Sequence, residues 1–210
     1  MGIFIDLFNF ILHIDVHLTF IIQNFGAWAY LLVFAIIFAE TGLVVTPFLP
    51  GDSLLFAAGT LAAAGAGDLR WLFIILAAAA IIGDSVNYAA GKFLGEKIFQ
   101  RPNRFVKKEY LDRTHRFYEK YGGKAIILAR FVPIVRTFAP FVAGVGEMSY
   151  LKFFIYNVTG GILWVAVFVL GGFYFGNIPI IRKNFSIAIL VIIFVSILPA
   201  IIEVWRHRKK

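Results

Sequence analysis

The chain has 210 residues, of which 60% are hydrophobic and 15% are charged, and its formal net charge is +8. Soluble domains contain about 45–50% apolar and about 25% charged residues, so this composition excludes an ordinary soluble domain and indicates a membrane protein. A soluble nucleic-acid-binding protein of similar charge is also excluded, because it would lack the long apolar segments of this chain. The sequence has no cysteine, which excludes disulfides and cysteine-based metal or catalytic sites.

Residues 1–17 predict an amphipathic helix that lies in the membrane interface. Polar side chains recur there at spacings of 3 and 4 residues, on one helical face opposite Ile, Phe and Leu. These side chains belong to Asp6, Asn9, His13 and His17.

Four apolar segments predict transmembrane helices, since a helix needs about 20 apolar residues to cross about 30 Å of hydrocarbon. They are residues 18–39, 69–91, 153–181 and 184–202. We therefore expect one all-helical, polytopic membrane domain over residues 1–210.

Two further apolar segments, residues 41–67 and 125–148, are interrupted by proline and glycine. Pro47 and Pro50 interrupt the first, and two prolines likewise interrupt the second. Proline removes a helical hydrogen bond, and irregular backbone at membrane depth persists only where protein or a watery cavity surrounds it. The pattern predicts two re-entrant helical hairpins, with two kinked transmembrane helices as the alternative.

Clustered basic residues predict the sidedness of the loops. Residues 92–124 hold 10 of the 20 Lys and Arg, and the tail at 203–210 is also basic. Such clusters remain cytoplasmic, so we expect both segments and both termini on the cytoplasmic side. Segment 92–124 either only sets this topology or also contacts anionic lipid head groups. Segments 18–39 and 69–91 then cross in opposite directions, and the hairpins open to opposite sides as a transporter-like inverted repeat.

Five charged side chains lie inside apolar sequence, where each costs about 2.5–3.5 kcal/mol unless it is paired. They are Glu40, Asp52, Asp84, Arg130 and Arg136. The first two flank the first proline break, and the two arginines flank the second. We expect the hairpins to bring these four together at the membrane midplane as a neutral cluster.

Chemistry divides the roles within this cluster. Arginine binds phosphate with two parallel hydrogen bonds and stays charged, so Arg130 and Arg136 are predicted phosphate ligands. Burial and a neighbouring guanidinium act on carboxyl groups in opposite directions, so Glu40 and Asp52 are predicted to exchange protons or to gate. Ion pairs that only tie the hairpins together are the alternative.

No catalytic or metal chemistry is expected. Residues 51–54 spell GDSL, a string of one lipase class, but serine hydrolysis needs a histidine base, and every histidine lies outside the candidate spans. We therefore predict that the protein is not an enzyme and binds neither a cofactor nor a metal ion.

Three ordered motifs resemble the bacterial DedA family, which belongs with the SNARE-associated or VTT-domain membrane proteins. The first is ETGL at 40–43 with PFLPGDSLLFAAG at 47–59, and the second comprises Gly83-Asp84, Tyr88 and Gly91-Lys92. The third is RFVPIVRTFAP at 130–140, followed by Met148, Phe153, Asn157, Gly160 and Trp164. The resemblance extends over residues 30–177.

The resemblance implies recycling of undecaprenyl phosphate, a polyprenyl-phosphate carrier of cell-envelope synthesis, across the bacterial cytoplasmic membrane with dependence on the proton-motive force. It also implies an acidic pair at Glu40 and Asp52 and an arginine pair at Arg130 and Arg136. Further candidate site residues are Asp84, Lys92, Thr137 and Asn157.

The predicted function is thus a polyprenyl-phosphate flippase. Its expected partners are that lipid, protons and anionic membrane lipids, with no nucleic acid, and a homo-oligomer is left open. Two alternatives remain: a proton- or cation-coupled small-solute transporter in pH or drug homeostasis, and a phospholipid scramblase or envelope scaffold.

Overall fold

The computed structural model describes residues 27–43, 51–99, 119, 121–146 and 148–176, together with isolated positions between 178 and 194. In chain order, its helices are α1 (Ala27–Gly42), α2 (Gly51–Ala63), α3 (Leu69–Phe99), a 3-10 turn (Gly122–Lys124), α4 (Ala125–Ala129), α5 (Pro133–Val145), α6 (Tyr150–Val165), a π-helix (Ala166–Leu170) and α7 (Gly171–Phe175). The regular structure in these described ranges is all helical. The predicted interfacial helix at 1–17, most of the span at 184–202 and the tail at 203–210 lie outside them.

Among the residues that the structure describes, two helices are long and apolar enough to cross a membrane. One is Leu69–Phe93, 25 residues within α3, and the other is Tyr150–Phe175, 26 residues that run through α6, the π-helix and α7. At about 1.5 Å per residue, each is about 38 Å long and exceeds the hydrocarbon thickness of about 30 Å. These helices coincide with two of the predicted spans. We call the second one the long rod.

The long rod runs antiparallel to α3. The Tyr88 ring of α3 stacks on Phe153 with a centroid distance of 4.5 Å. Seven residues earlier in α3, the Ile81 carbonyl accepts a hydrogen bond of 2.9 Å from the Asn157 side chain. Later residues of α3 therefore lie beside earlier residues of the rod, so the two helices run in opposite directions.

Helices α1 and α2 form a hairpin around residues 44–50. At the start of α1, the Tyr30 hydroxyl accepts a bond from the Asp68 N–H just before α3, at 3.1 Å. At its end, the Thr41 carbonyl accepts a bond of 3.1 Å from Asn87. Helix α1 is therefore parallel to α3, and α2 returns the chain to the start of α3 through a turn at Gly65, whose φ is 79°.

This arrangement corrects the predicted order of spans. The expectation that segments 18–39 and 69–91 run in opposite directions is wrong within the described residues, because α1 and α3 run in the same direction. The 16 described residues of α1 serve as one arm of the hairpin. The described arms are residues 27–42 and 51–63, and the re-entrant course predicted for 41–67 stays a prediction.

The second hairpin comprises α4 and α5. Helix α4 packs against α6 and runs in the same direction, because Gly123 packs against Tyr156 and Ile127 packs against Gly160. The helix breaks at residues 130–132, and α5 begins at Pro133, where a missing N–H costs nothing. Its carbonyl at Thr137 accepts a bond of 2.8 Å from α3, so α5 returns along that helix.

Glycines allow α2 to pack backbone against backbone on the long rod. A Cβ atom on Gly59 would overlap the carbonyl oxygen of Val169, and one on Gly172 would overlap the carbonyl oxygen of Phe56. Small residues of this kind permit the close helix approach that stabilises helix pairs in membranes.

The same pair of contacts joins α5 to α3. A Cβ atom on Gly144 would overlap the carbonyl oxygen of Tyr88, and one on Gly91 would overlap that of Phe141. In both pairs, each glycine lies three residues after the carbonyl on its own helix. The described helices therefore form two halves with opposite chain directions and reciprocal contacts.

Candidate functional site: a buried ion-pair cluster between the hairpins

One arginine joins the adjacent ends of the two hairpins. Arg136, in the first turns of α5, contacts Glu40 at 2.5 Å and Asp52 at 3.0 Å through separate terminal nitrogens. Glu40 lies near the end of α1, and Asp52 lies in the first turn of α2. Arg136 therefore ties both arms of the first hairpin to the second, and the three side chains are only 4–15% exposed.

A glycine brings α2 up to the Glu40 carboxylate. The Gly51 N–H donates a hydrogen bond of 3.2 Å to Oε1, and a Cβ atom at this position would overlap Oε2. Among the described residues, Glu40 Oε2 has no hydrogen-bond partner although it is buried. The start of α2 therefore contributes in two ways. The Gly51 backbone binds the Glu40 carboxylate, and the next residue, Asp52, supplies a carboxylate of its own.

Trp164 of α6 completes this group. Its indole N–H donates a hydrogen bond of 2.8 Å to Asp52 Oδ1. The Arg136 guanidinium carbon lies 4.6 Å from the centre of the indole ring, and that of Arg130 lies 5.9 Å away. Sequence reasoning did not include this tryptophan among the site residues, although it lies two helical turns after Asn157 on the same face.

Arg130 belongs to a separate ion pair. Its Nη2 atom lies 2.6 Å from both Asp84 Oδ2 and Asn157 Oδ1. The expected cluster of two acids and two arginines is therefore corrected, because the direct partner of Arg130 is Asp84 of α3. The reason is the break at 130–132, which leaves Arg130 after α4 beside α6 and carries Arg136 into α5.

A small cavity lies between the two ion pairs. Its volume is about 10 Å³, room for about one water molecule. Its lining residues are Glu40, Thr41, Asp84, Arg130, Arg136, Thr137 and Trp164. Of the further candidates, Asp84, Asn157 and Thr137 thus belong to this site, whereas Lys92 is exposed on α3, eight residues beyond Asp84.

Asn87 anchors the ends of both hairpins to α3. Its side-chain amide donates to the Thr41 carbonyl at 3.1 Å and to the Thr137 carbonyl at 2.8 Å. These threonines directly follow Glu40 and Arg136 in the chain. The fully buried Asn87 amide therefore fixes the backbone next to both partners of the Glu40–Arg136 ion pair. Asn87 is one of several polar residues in α3, so the sequence did not single it out.

The formal charges of the cluster do not cancel. Glu40, Asp52 and Asp84 carry −3 when ionised and the two arginines carry +2, which leaves −1. Within the described part of the chain, no three His, Asp or Glu side chains are arranged to hold a metal ion. Arginine side chains can bind anions, and the carboxylates can bind protons.

Comparison with known proteins identifies the family. The VTT domain model matches residues 49–174. Over 212 aligned residues, covering 100% of this chain and 97% of the relative, the chain is 55% identical to Protein DedA of Escherichia coli strain K12. It is 43% identical to an uncharacterized membrane protein of Mycobacterium leprae, over 81% of this chain and 77% of that protein.

A more distant relative is inner membrane protein YqjA of Escherichia coli strain K12, which is 32% identical over 73% of this chain and 70% of its own length. No solved structure matches the chain. The matched domain spans the helices that supply Asp52, Asp84, Trp164 and both arginines. The chain therefore belongs to the DedA family of VTT-domain membrane proteins.

Proposed function

We propose that the protein moves a polyprenyl phosphate, undecaprenyl phosphate, across the bacterial cytoplasmic membrane and so returns this lipid carrier for reuse. The observation that carries the proposal is the environment of Arg136, whose two terminal nitrogens bind two different carboxylates. The planar fork of arginine offers a phosphate group the same two hydrogen bonds. The prenyl chain would remain in lipid while the phosphate passes between the hairpins.

Phosphate binding at Arg136 would displace Glu40 and Asp52. Both carboxylates are buried, and a buried charge that loses its partner costs about 3–5 kcal/mol. A proton on each released carboxyl group removes that cost. Exchange at Arg136 thus couples phosphate binding to proton uptake, which accounts for dependence on a proton gradient.

The opposed hairpins support access from both sides. We propose that both are re-entrant, that they enter from opposite membrane faces and that their adjacent ends meet near the midplane. Inverted halves around a midplane site are typical of transporters, because rocking of one half against the other opens the site alternately. The 13 residues of α2, about 20 Å, suit a half-crossing.

We further propose that segment 92–124 and the tail at 203–210 are cytoplasmic, with anionic lipid head groups against the basic segment. Helix α1 starts at the end of α3 opposite to this segment.

The test is transport of undecaprenyl phosphate in proteoliposomes. We expect the wild-type protein to carry externally added lipid phosphate to the interior under an imposed proton gradient. Arg136→Ala should lower the rate by more than about 100-fold, because two charged hydrogen bonds of about 1.5–3 kcal/mol each are lost. Arg70→Ala is the matched control, since Arg70 is exposed at the start of α3 and should transport like the wild type.

Three results would contradict the proposal. Wild-type rates in a folded Arg136→Ala protein would exclude Arg136 as the phosphate ligand. Gradient-independent movement of ordinary phospholipid would instead indicate a scramblase. Solute or cation flux without movement of the lipid phosphate would indicate a small-solute transporter.

A further inference from the structure

Trp164 contacts both Asp52 and Arg136 of the ion-pair cluster. It is 1% exposed and lies in the long rod, on the half of the molecule that does not supply the acids. Its N–H and Arg136 Nη1 both reach Asp52 Oδ1, at 2.8 Å and 3.0 Å. Asp52 therefore retains one donor if the arginine leaves it.

The indole ring supports the arginine in a different way. The Arg136 guanidinium lies 4.6 Å from the ring centre, where the electron-rich face attracts a cation. The N–H groups of the guanidinium remain directed at the carboxylates. A neutral ring thus stabilises the cation without occupying the hydrogen bonds that an anionic ligand needs.

The π-helix after Trp164 sets its orientation. Ala166–Leu170 forms this segment, and Val169 within it packs against Gly59 of α2. In a regular α-helix, residues five apart are separated by about 140° at about 100° per residue. The wider π turn brings both Trp164 and Val169 onto α2, and such turns occur frequently at functional sites.

We propose that Trp164 is a positioning residue of the transport site: it keeps Asp52 and the guanidinium of Arg136 in place while the arginine exchanges a carboxylate for a phosphate monoester. This inference rests on the proposed function. In this role, the indole N–H holds Asp52 by a hydrogen bond, and the ring face holds the guanidinium of Arg136.

The first experiment separates these two contacts by substitution. Trp164→Phe keeps a ring face and removes the N–H, and we expect about a tenfold lower maximal rate with little change in the half-saturating lipid concentration. Trp164→Leu removes both contacts, and we expect a further loss of about tenfold with a higher half-saturating concentration. Trp71→Phe is the control, since Trp71 is 61% exposed on α3 and should behave as wild type.

The second experiment leaves Trp164 unchanged and reads it directly. The sequence has four tryptophans, so replacing Trp28, Trp71 and Trp205 with phenylalanine leaves Trp164 as the single indole fluorophore. Adding undecaprenyl phosphate should change its emission, because the guanidinium moves relative to the ring, and inorganic phosphate should do so more weakly. Arg136→Met in this background should abolish the change.

The outcomes distinguish the two proposals. If the wild-type protein transports the lipid phosphate, normal rates in both Trp164 variants would overturn the role of Trp164 alone. An indole emission that the lipid phosphate does not change would do the same. No transport of lipid phosphate by the wild type would overturn the proposed function. Equal loss in both variants without a change in half-saturation would indicate a purely structural tryptophan.

Discussion

Arg130 and Arg136 carry the same charge but are held differently. Arg130 binds one carboxylate and one amide at 2.6 Å each, and its side chain packs beside Gly160 and Gly161 of α6. Arg136 binds two carboxylates, one on each arm of a hairpin, and is about twice as exposed, at 11% against 5%. We infer that Arg130 anchors the second hairpin to α3 and that Arg136 is the exchangeable group.

A buried pair of this kind is expected to matter most when one partner is lost. Asp84→Ala should destabilise the protein by about 3–5 kcal/mol, because Arg130 would remain buried without a counter-charge. The double variant Asp84→Leu with Arg130→Met should recover most of this loss. Denaturant unfolding in detergent measures both effects.

Transport by the double variant separates an anchor from a ligand. If Arg130 only anchors the second hairpin, the folded double variant should still move lipid phosphate at a measurable rate. A stable double variant without any transport would show that Arg130 itself binds the phosphate, as the sequence had suggested.

At the scale of elements, the reciprocal glycine contacts hold the halves together. Helix α2 packs on the long rod, and α5 packs on α3, with carbonyl oxygens occupying the space of the missing side chains. Hydrophobic burial gives little advantage between helices in lipid, so such close packing supplies much of the stability. These contacts also set the distance between each of these hairpin arms and the helix on which it packs.

Two adjacent glycines provide a matched test of this packing. A Cβ atom at Gly172 would overlap the Phe56 carbonyl, whereas one at Gly171 would have its nearest neighbour at 4.0 Å. Gly172→Ala should therefore destabilise the protein by about 1–3 kcal/mol through overpacking. Gly171→Ala should be neutral or should stabilise the helix by up to about 1 kcal/mol. Thermal unfolding of the two variants in detergent compares them, and equal stabilities would refute the packing argument.

At the scale of the whole molecule, the described helices run in opposite directions in the two halves. Antiparallel α3 and the long rod place the open ends of the two hairpins at opposite ends of the bundle. The end near residue 121 carries the last residues of the basic segment 92–124, which we propose to be cytoplasmic. The turn between α2 and α3 should then face the other side.

The cysteine-free sequence allows this topology to be tested with single cysteines. In intact cells, a membrane-impermeant maleimide should label Ala64→Cys, at the exposed turn after α2, from outside. Tyr121→Cys, exposed before the second hairpin, should be labelled only after the membrane is opened. Labelling of both positions from the same side would show that the halves are not inverted across the membrane.

The sequence by itself determined the charged residues from which the site is built. Uncompensated charge in an apolar segment is so costly that Glu40, Asp52, Asp84 and both arginines stood out without any structure. Length and hydropathy likewise identified the two long helices, because crossing a bilayer requires both. The family followed from ordered motifs, and the comparisons confirmed it.

Only the tertiary structure decided which groups pair and in which direction the helices run. Hydropathy does not distinguish a full span from a hairpin arm, so the parallel course of α1 and α3 was not predicted. Pairing depends on where the chain reverses at 130–132, which gave Asp84 to Arg130 and both flanking acids to Arg136. Trp164 and Asn87 carry no charge that would mark them in the sequence, and their roles arise from contacts between segments far apart in the chain.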